Sequence, residues 1–154
     1  MKQFEATSIA KRMRGYKLMN SRPQIPQNGR ETTMYIIDYD KGLDYVSLSV
    51  KEALNMSEAR ACRDKLQEVL RVCNRTRVLV DTTNVIARLS AVEDYKLIRE
   101  LRHELPSGVS LALLVPLERM LFGRFIEAGA ITNGIRLRAF IDKTEAVTWL
   151  MYQK

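Results

Sequence analysis

The sequence is poor in the residues that most enzyme chemistry needs. Its 154 residues include two cysteines, one histidine and one tryptophan. Cys62 and Cys73 lie eleven positions apart in one stretch of helical periodicity. At ~1.5 Å per residue their backbones would stand about 16 Å apart, out of reach of a disulfide. Both read as small apolar packing residues. His103 sits in the charged stretch RELRHEL and reads as a surface residue. One histidine and two separated cysteines do not make a metal set, so no metal is expected. The phosphate-binding patterns G-x-G-x-x-G and G-x-x-x-x-G-K-[ST] are missing, as is the G-x-S-x-G elbow. No apolar run approaches the ~20 residues of a membrane-spanning helix. The opening MKQFEATSIAKRMRGYK has no apolar core of a secretory signal. These absences make a cytoplasmic, cofactor-free protein with no catalytic residues the expectation.

What is present fits one domain with a packed core. Apolar residues make up 46% and charged residues 28% of the chain, the balance of an ordinary globule. The net charge of +7 is uneven. Residues 1–33 hold seven basic residues (Lys2, Lys11, Arg12, Arg14, Lys17, Arg22, Arg30) and two acids (Glu5, Glu31), a net of +5. The remainder is nearly balanced, so the basicity belongs to the front end and does not point to a nucleic-acid-binding fold. Ala6, Ile9, Ala10, Met13 and Tyr16 form a weak helical stripe there. SRPQIPQNGRETT follows as a linker, broken by two prolines and an Asn-Gly pair. Residues 1–33 are therefore read as a basic arm and linker, and 34–154 as the folded domain. The arm could be a solvated tail, an anion-binding segment or a clasp onto a second copy; its apolar residues favour the clasp.

From Met34 the pattern sharpens. MYIIDYD and DYVSLSV are strand-like, and Asp40-Lys41-Gly42 between them predicts an antiparallel hairpin. A helix is expected from about Ser57, with Ala59, Cys62, Leu66, Val69, Leu70 and Cys73 on one face. RVLVD is a short buried strand. A second helix from Ser90 should bury Tyr95, Ile98, Leu101 and Leu105 before Pro106-Ser107-Gly108 stops it. VSLALLV is another buried strand, and Pro116 suits the first turn of a third helix ending at Asn133-Gly134. LRAFI and TEAVTWLMY close the chain as strand and helix. The order β-β-α-β-α-β-α-β-α implies an α/β fold. Right-handed crossovers should build a mixed, mostly parallel sheet of about five strands. A phosphoaspartate receiver is excluded, because the chain opens with a hairpin and lacks an adjacent acid pair for magnesium.

Three pieces carry a family resemblance: MYIIDYDKGLDYVSLSV, RVLVDTTNV and FGRFIEAGAITNGIRLRAFIDKTEAVTWL. Together they resemble the STAS domain superfamily, in its SpoIIAA-like branch, often grouped with Sec14-type lipid-binding folds. The likeness spans about residues 34–152. It implies the fold above and an interaction or regulatory role. In STAS anti-sigma-factor antagonists a serine at the start of the second helix is phosphorylated by a partner kinase. Counting from Asp81 places Ser90 at that position, with Leu89 and Ala91-Val92 where the family motif has Asp and Ser-Gly.

Three groups of residues are candidate sites. Ser90 is a candidate regulatory serine, but Ser90-Ala91-Val92-Glu93 also spells a helix-capping box. Asp81, Thr82, Thr83 and Asn84 follow a central strand, where open α/β sheets bind ligands, and Asp142 ends another strand. Ordinary turn chemistry explains the same residues. Met120, Leu121, Phe122, Phe125 and Ile126 are more apolar positions than one narrow helix face needs. They could pack in the core, wall an apolar pocket, or meet a second copy. The leading expectation is a non-enzymatic interaction module, self-associating and with a protein partner. The alternatives are a binder of a small apolar or lipid-like ligand between the third helix and the sheet, and a small enzyme built around Asp81.

Overall fold

Asp44 sets the first fold decision. Its φ of 61° is left-handed, a conformation Asp tolerates better than bulkier residues. In the computed structural model, which describes residues 34–85 and 89–153, it closes the turn between β1 (Tyr35–Asp40) and β2 (Tyr45–Val50). The Asp40 carboxylate accepts the Leu43 N–H at 2.9 Å, so both ends of the turn are tied. The strands pair antiparallel, from Tyr35 opposite Val50 to Asp40 opposite Tyr45. The expected hairpin is present, and its turn runs over residues 41–44, Gly42 included. The readings of the N-terminal stripe, linker and arm lie outside the described residues.

Three parallel strands follow: β3 (Arg77–Asp81), β4 (Ser110–Leu114) and β5 (Arg136–Phe140). The sheet order is β1-β2-β3-β4-β5, with β2 through β5 parallel. RVLVD is thus the middle strand. Because the order never reverses, successive crossovers of one hand place their helices on one face. These are α1 (Met56–Cys73), α2 (Ala91–Glu104) and α3 (Met120–Thr132). The closing α4 (Lys143–Met151) covers the other face.

Strand alternation divides the core accordingly. Val46, Val78, Leu111 and Leu137 pack with Leu66, Val69, Ile98 and Ile126 under the three helices. Leu79, Ala112, Leu114 and Phe140 pack with Ala146 and Leu150 of α4. All five residues of β4 are buried, as expected of a strand covered on both sides.

The helix ends are set locally. Asn55 caps α1 and Ser90 caps α2, each in a reciprocal box with the glutamate three residues on. α1 stops at Asn74 in the left-handed conformation, φ 53°. Asp142 caps α4. Pro116 leads into a short 3-10 turn at Leu117–Arg119, so α3 proper starts at Met120. Gly123 lets α3 lie close on the sheet: a Cβ there would stand 3.1 Å from Ala139 Cβ and 3.2 Å from Val115 Cγ2. One expected burial differs, and two open positions resolve outward. Tyr95 is 39% exposed, because α2 rotates Ile98 rather than Tyr95 toward the sheet. Leu121 is 88% exposed and Phe125 43%, on the side of α3 away from the core.

Candidate functional site: an apolar pocket beneath the second helix

The α1–α2–α3 layer does not close completely. A pocket of about 270 Å³ lies between it and the sheet. Its floor is Leu48, Val50, Val80, Leu111, Leu113 and Leu137. α1 contributes Ala59, Cys62, Arg63 and Leu66; α3 contributes Phe122 and Ile126. α2 lies along it with Asp94, Leu97, Ile98, Leu101 and Leu105. These α2 positions follow from helical spacing, since 94, 98, 101 and 105 share one face. The lining is apolar except for Thr82, Arg63, Asp94 and Arg119.

Asp94 is the unusual member. Its Oδ2 is buried and has no hydrogen-bond partner among the described residues. Burial pushes its carboxyl up to about 6, with the Arg119 guanidinium pulling the other way and Glu93 adding to the rise. Arg119 lies over the Phe122 ring, 4.4 Å from its centroid. One of its N–H groups donates a long bond, 3.4 Å, to the Val85 carbonyl. Asp94 and Arg119 thus mark the polar end of the pocket, near the carboxyl ends of β3 and β4.

An ion-pair clasp bridges α1 and α2. Arg60 Nη2 and Nε donate to Glu100 Oε1 and Oε2 at 2.7 and 3.2 Å, and Arg63 Nη1 also donates to Glu100 Oε2. The hydrogen bond from Arg60, joined by that from Arg63, holds the Glu100 carboxyl down to about 2. Arg63 is thereby neutralised at the pocket wall, where its side chain is 12% exposed. Burial pushes the Cys62 thiol up to about 12, which suits packing and not nucleophilic attack.

The structure distributes the sequence candidates. Asp81 Oδ1 accepts the Thr83 N–H at 2.9 Å and the Thr83 hydroxyl at 2.6 Å, a self-contained Asx turn. Alternation turns Asp81 toward the α4 side with Leu79, away from the pocket. Thr82 faces the pocket, and its hydroxyl donates to the Leu114 carbonyl at 2.9 Å. Asn84 is exposed in the turn. Asp142 follows β5, with β4 between it and β3; at ~4.8 Å per strand about 10 Å of sheet separates it from Asp81. Its carboxylate accepts the Glu145 N–H at 2.9 Å, so the two acids form no pair. The Ser90 hydroxyl accepts the Glu93 N–H at 3.2 Å, and Glu93 Oε2 accepts the Ser90 N–H at 2.8 Å. Of the apolar five, Phe122 and Ile126 line the pocket, Met120 packs beside the core, and Leu121 and Phe125 face outward.

Sequence reasoning missed Asp94 and Arg119. Asp94 reads as a first-turn acid favoured by the helix dipole. The available signal was its place on the apolar face of α2, where a polar residue needs a reason. Arg119 carried no comparable signal, because its stacking on Phe122 depends on the 3-10 turn.

Comparison with known proteins bears on the fold. No family model and no curated protein matches the chain. Among solved structures it is similar to an uncharacterised protein of the DUF3478 family from Shewanella loihica PV-4, described as having a SpoIIAA-like fold. The match has 19% identity and a TM-score of 0.51, and covers 75% of this chain and 91% of that one. The chain therefore has the SpoIIAA-like α/β fold, in agreement with the STAS resemblance of its strands and helices. Among the described residues no helix is long and apolar enough to cross a membrane.

Proposed function

We propose that this protein is a non-enzymatic binding module that holds a small, largely apolar molecule in the pocket beneath α2. The observation that carries the reading is an apolar space of about 270 Å³ in a layer where close packing is the rule. Its size lies just under the ~300 Å³ at which small-molecule sites usually begin. A fitting apolar molecule would gain transfer and dispersion energy along every wall. The polar turn at Asp81 is occupied with its own backbone, so a role for it in catalysis has less support. The test is saturable binding of naphthalene, a compact apolar probe close to the pocket in size, followed by calorimetry. Binding should be lost in Ala59→Phe, which fills the pocket from α1. No saturable binding, or unchanged binding in that variant, would refute the reading.

A second reading, an interaction module that self-associates, rests on a different face. Leu117, Leu121, Phe125 and Ile131 are exposed at 70%, 88%, 43% and 63%, and fall on one side of the α3 segment at helical spacing. Apolar stripes of this kind mark association surfaces. Sedimentation equilibrium should give a dimer that Leu121→Lys dissociates; a monomer at high concentration argues against it.

A further inference from the structure

The pocket's polar end also bears on the kind of molecule it takes. Resting on the binding reading above, we propose that the ligand carries one uncharged hydroxyl, an alcohol or phenol on a small apolar body, and donates it to the Asp94 carboxylate.

Three observations lead there. The first is the orphan acceptor. Asp94 lines the pocket, and its Oδ2 is buried without a partner among the described residues. A buried acceptor left unmade is costly, and turning the carboxylate toward a donor on the ligand removes that cost. A hydroxyl given to a carboxylate makes a strong, charge-assisted bond.

The second is the charge around it. Arg119 lines the same pocket and acts on Asp94 from the α3 side, and Glu93 acts from its own helix. Arg63 stands on the α1 wall. An ammonium head would satisfy Asp94 but leave its hydration for a place beside the Arg119 guanidinium. A carboxylate head would gain Arg119 but bring a second acid against Asp94. A neutral hydroxyl avoids both repulsions and keeps Arg119 on its Phe122 ring.

The third is size. At roughly 30 Å³ per water-sized group, the pocket of about 270 Å³ holds about nine non-hydrogen atoms. 1-Octanol has that many, so an eight-carbon series tests the head group at nearly constant size.

The experiment is displacement of naphthalene from the full chain at pH 7.5 by 1-octanol, octane, octylammonium and octanoate. The expected order puts 1-octanol at least tenfold ahead of each of the others. In Asp94→Leu the probe should still bind while 1-octanol falls to the level of octane. Octanol and octane displacing equally would overturn the assignment. So would octanoate or octylammonium displacing best, and in both cases pocket binding itself would stand. If no probe binds at all, the pocket reading fails and this inference fails with it. The wild-type ranking needs no variant, so the proposal stays open to refutation even if Asp94→Leu does not fold.

Discussion

Asp94 shows how one side chain couples stability to pH. Its folded carboxyl titrates at about 6 because burial disfavours the charge, against an ordinary value of ~3.9. The folded chain therefore binds this proton more tightly than the unfolded chain. Stability from this group should fall as pH rises from about 4 to about 6 and level off above. Asp94→Asn removes the charge at constant shape. It should raise stability at pH 7 by about 1–2 kcal/mol and flatten that pH window. Urea unfolding at pH 4.5 and pH 7 checks both. Trp149 is a convenient probe, since its ring lies 5.8 Å from that of Phe140 in the α4 core. A second single-residue effect belongs to Gly123. The 3.1 Å approach to Ala139 leaves no room for a branched side chain. Gly123→Val should cost about 1–3 kcal/mol, seen as a lower urea midpoint at unchanged slope.

At the scale of elements, local signals did most of the specification. Asn55 and Glu58 close a box at 2.8 and 2.7 Å, which starts an 18-residue helix. Asn55→Ala should cost about 1 kcal/mol, measured by thermal or urea unfolding. The clasp between α1 and α2 has the opposite pH sense to Asp94. Glu100 is held down to about 2 by its arginines, so the stability it adds is present above its ordinary ~4.3 and lost as pH falls toward 2. Glu100→Gln should lower stability slightly near pH 6 and leave it unchanged near pH 2. Salt should shrink the difference, because the pair is partly exposed. The hairpin, the Ser90–Glu93 capping box and the strand RVLVD were legible because each rests on neighbours in sequence. The start of α3 was not: Pro116 permits a helix at once, yet the chain first makes a 3-10 turn that brings Arg119 over Phe122.

At the scale of the molecule, one sheet carries two unequal cores. Leu79 is 2% exposed and packs on the α4 side with Leu150 at 0%. Leu79→Ala should cost about 2–5 kcal/mol, because β3 is central and its surroundings have little freedom to collapse. A loss below 1 kcal/mol in urea unfolding would mean that the α4 core contributes little. The three-helix side is larger but does not close, and the pocket lies where α2 spans the gap between α1 and α3.

Sequence alone determined the element order, the pairing of the first two strands, the central place of RVLVD and the starts of α1, α2 and α4. Periods of 2 and 3.6 and the capping residues act over a few positions, so each can be read in place. Tertiary structure decided which apolar residues of α3 turn inward, and sent Phe122 and Ile126 to the pocket while leaving Leu121 and Phe125 outside. It also decided that Asp81 serves its own turn while Asp94 is buried without a partner. These outcomes depend on how three helices settle side by side on a twisted sheet, and no single segment of the chain contains that information.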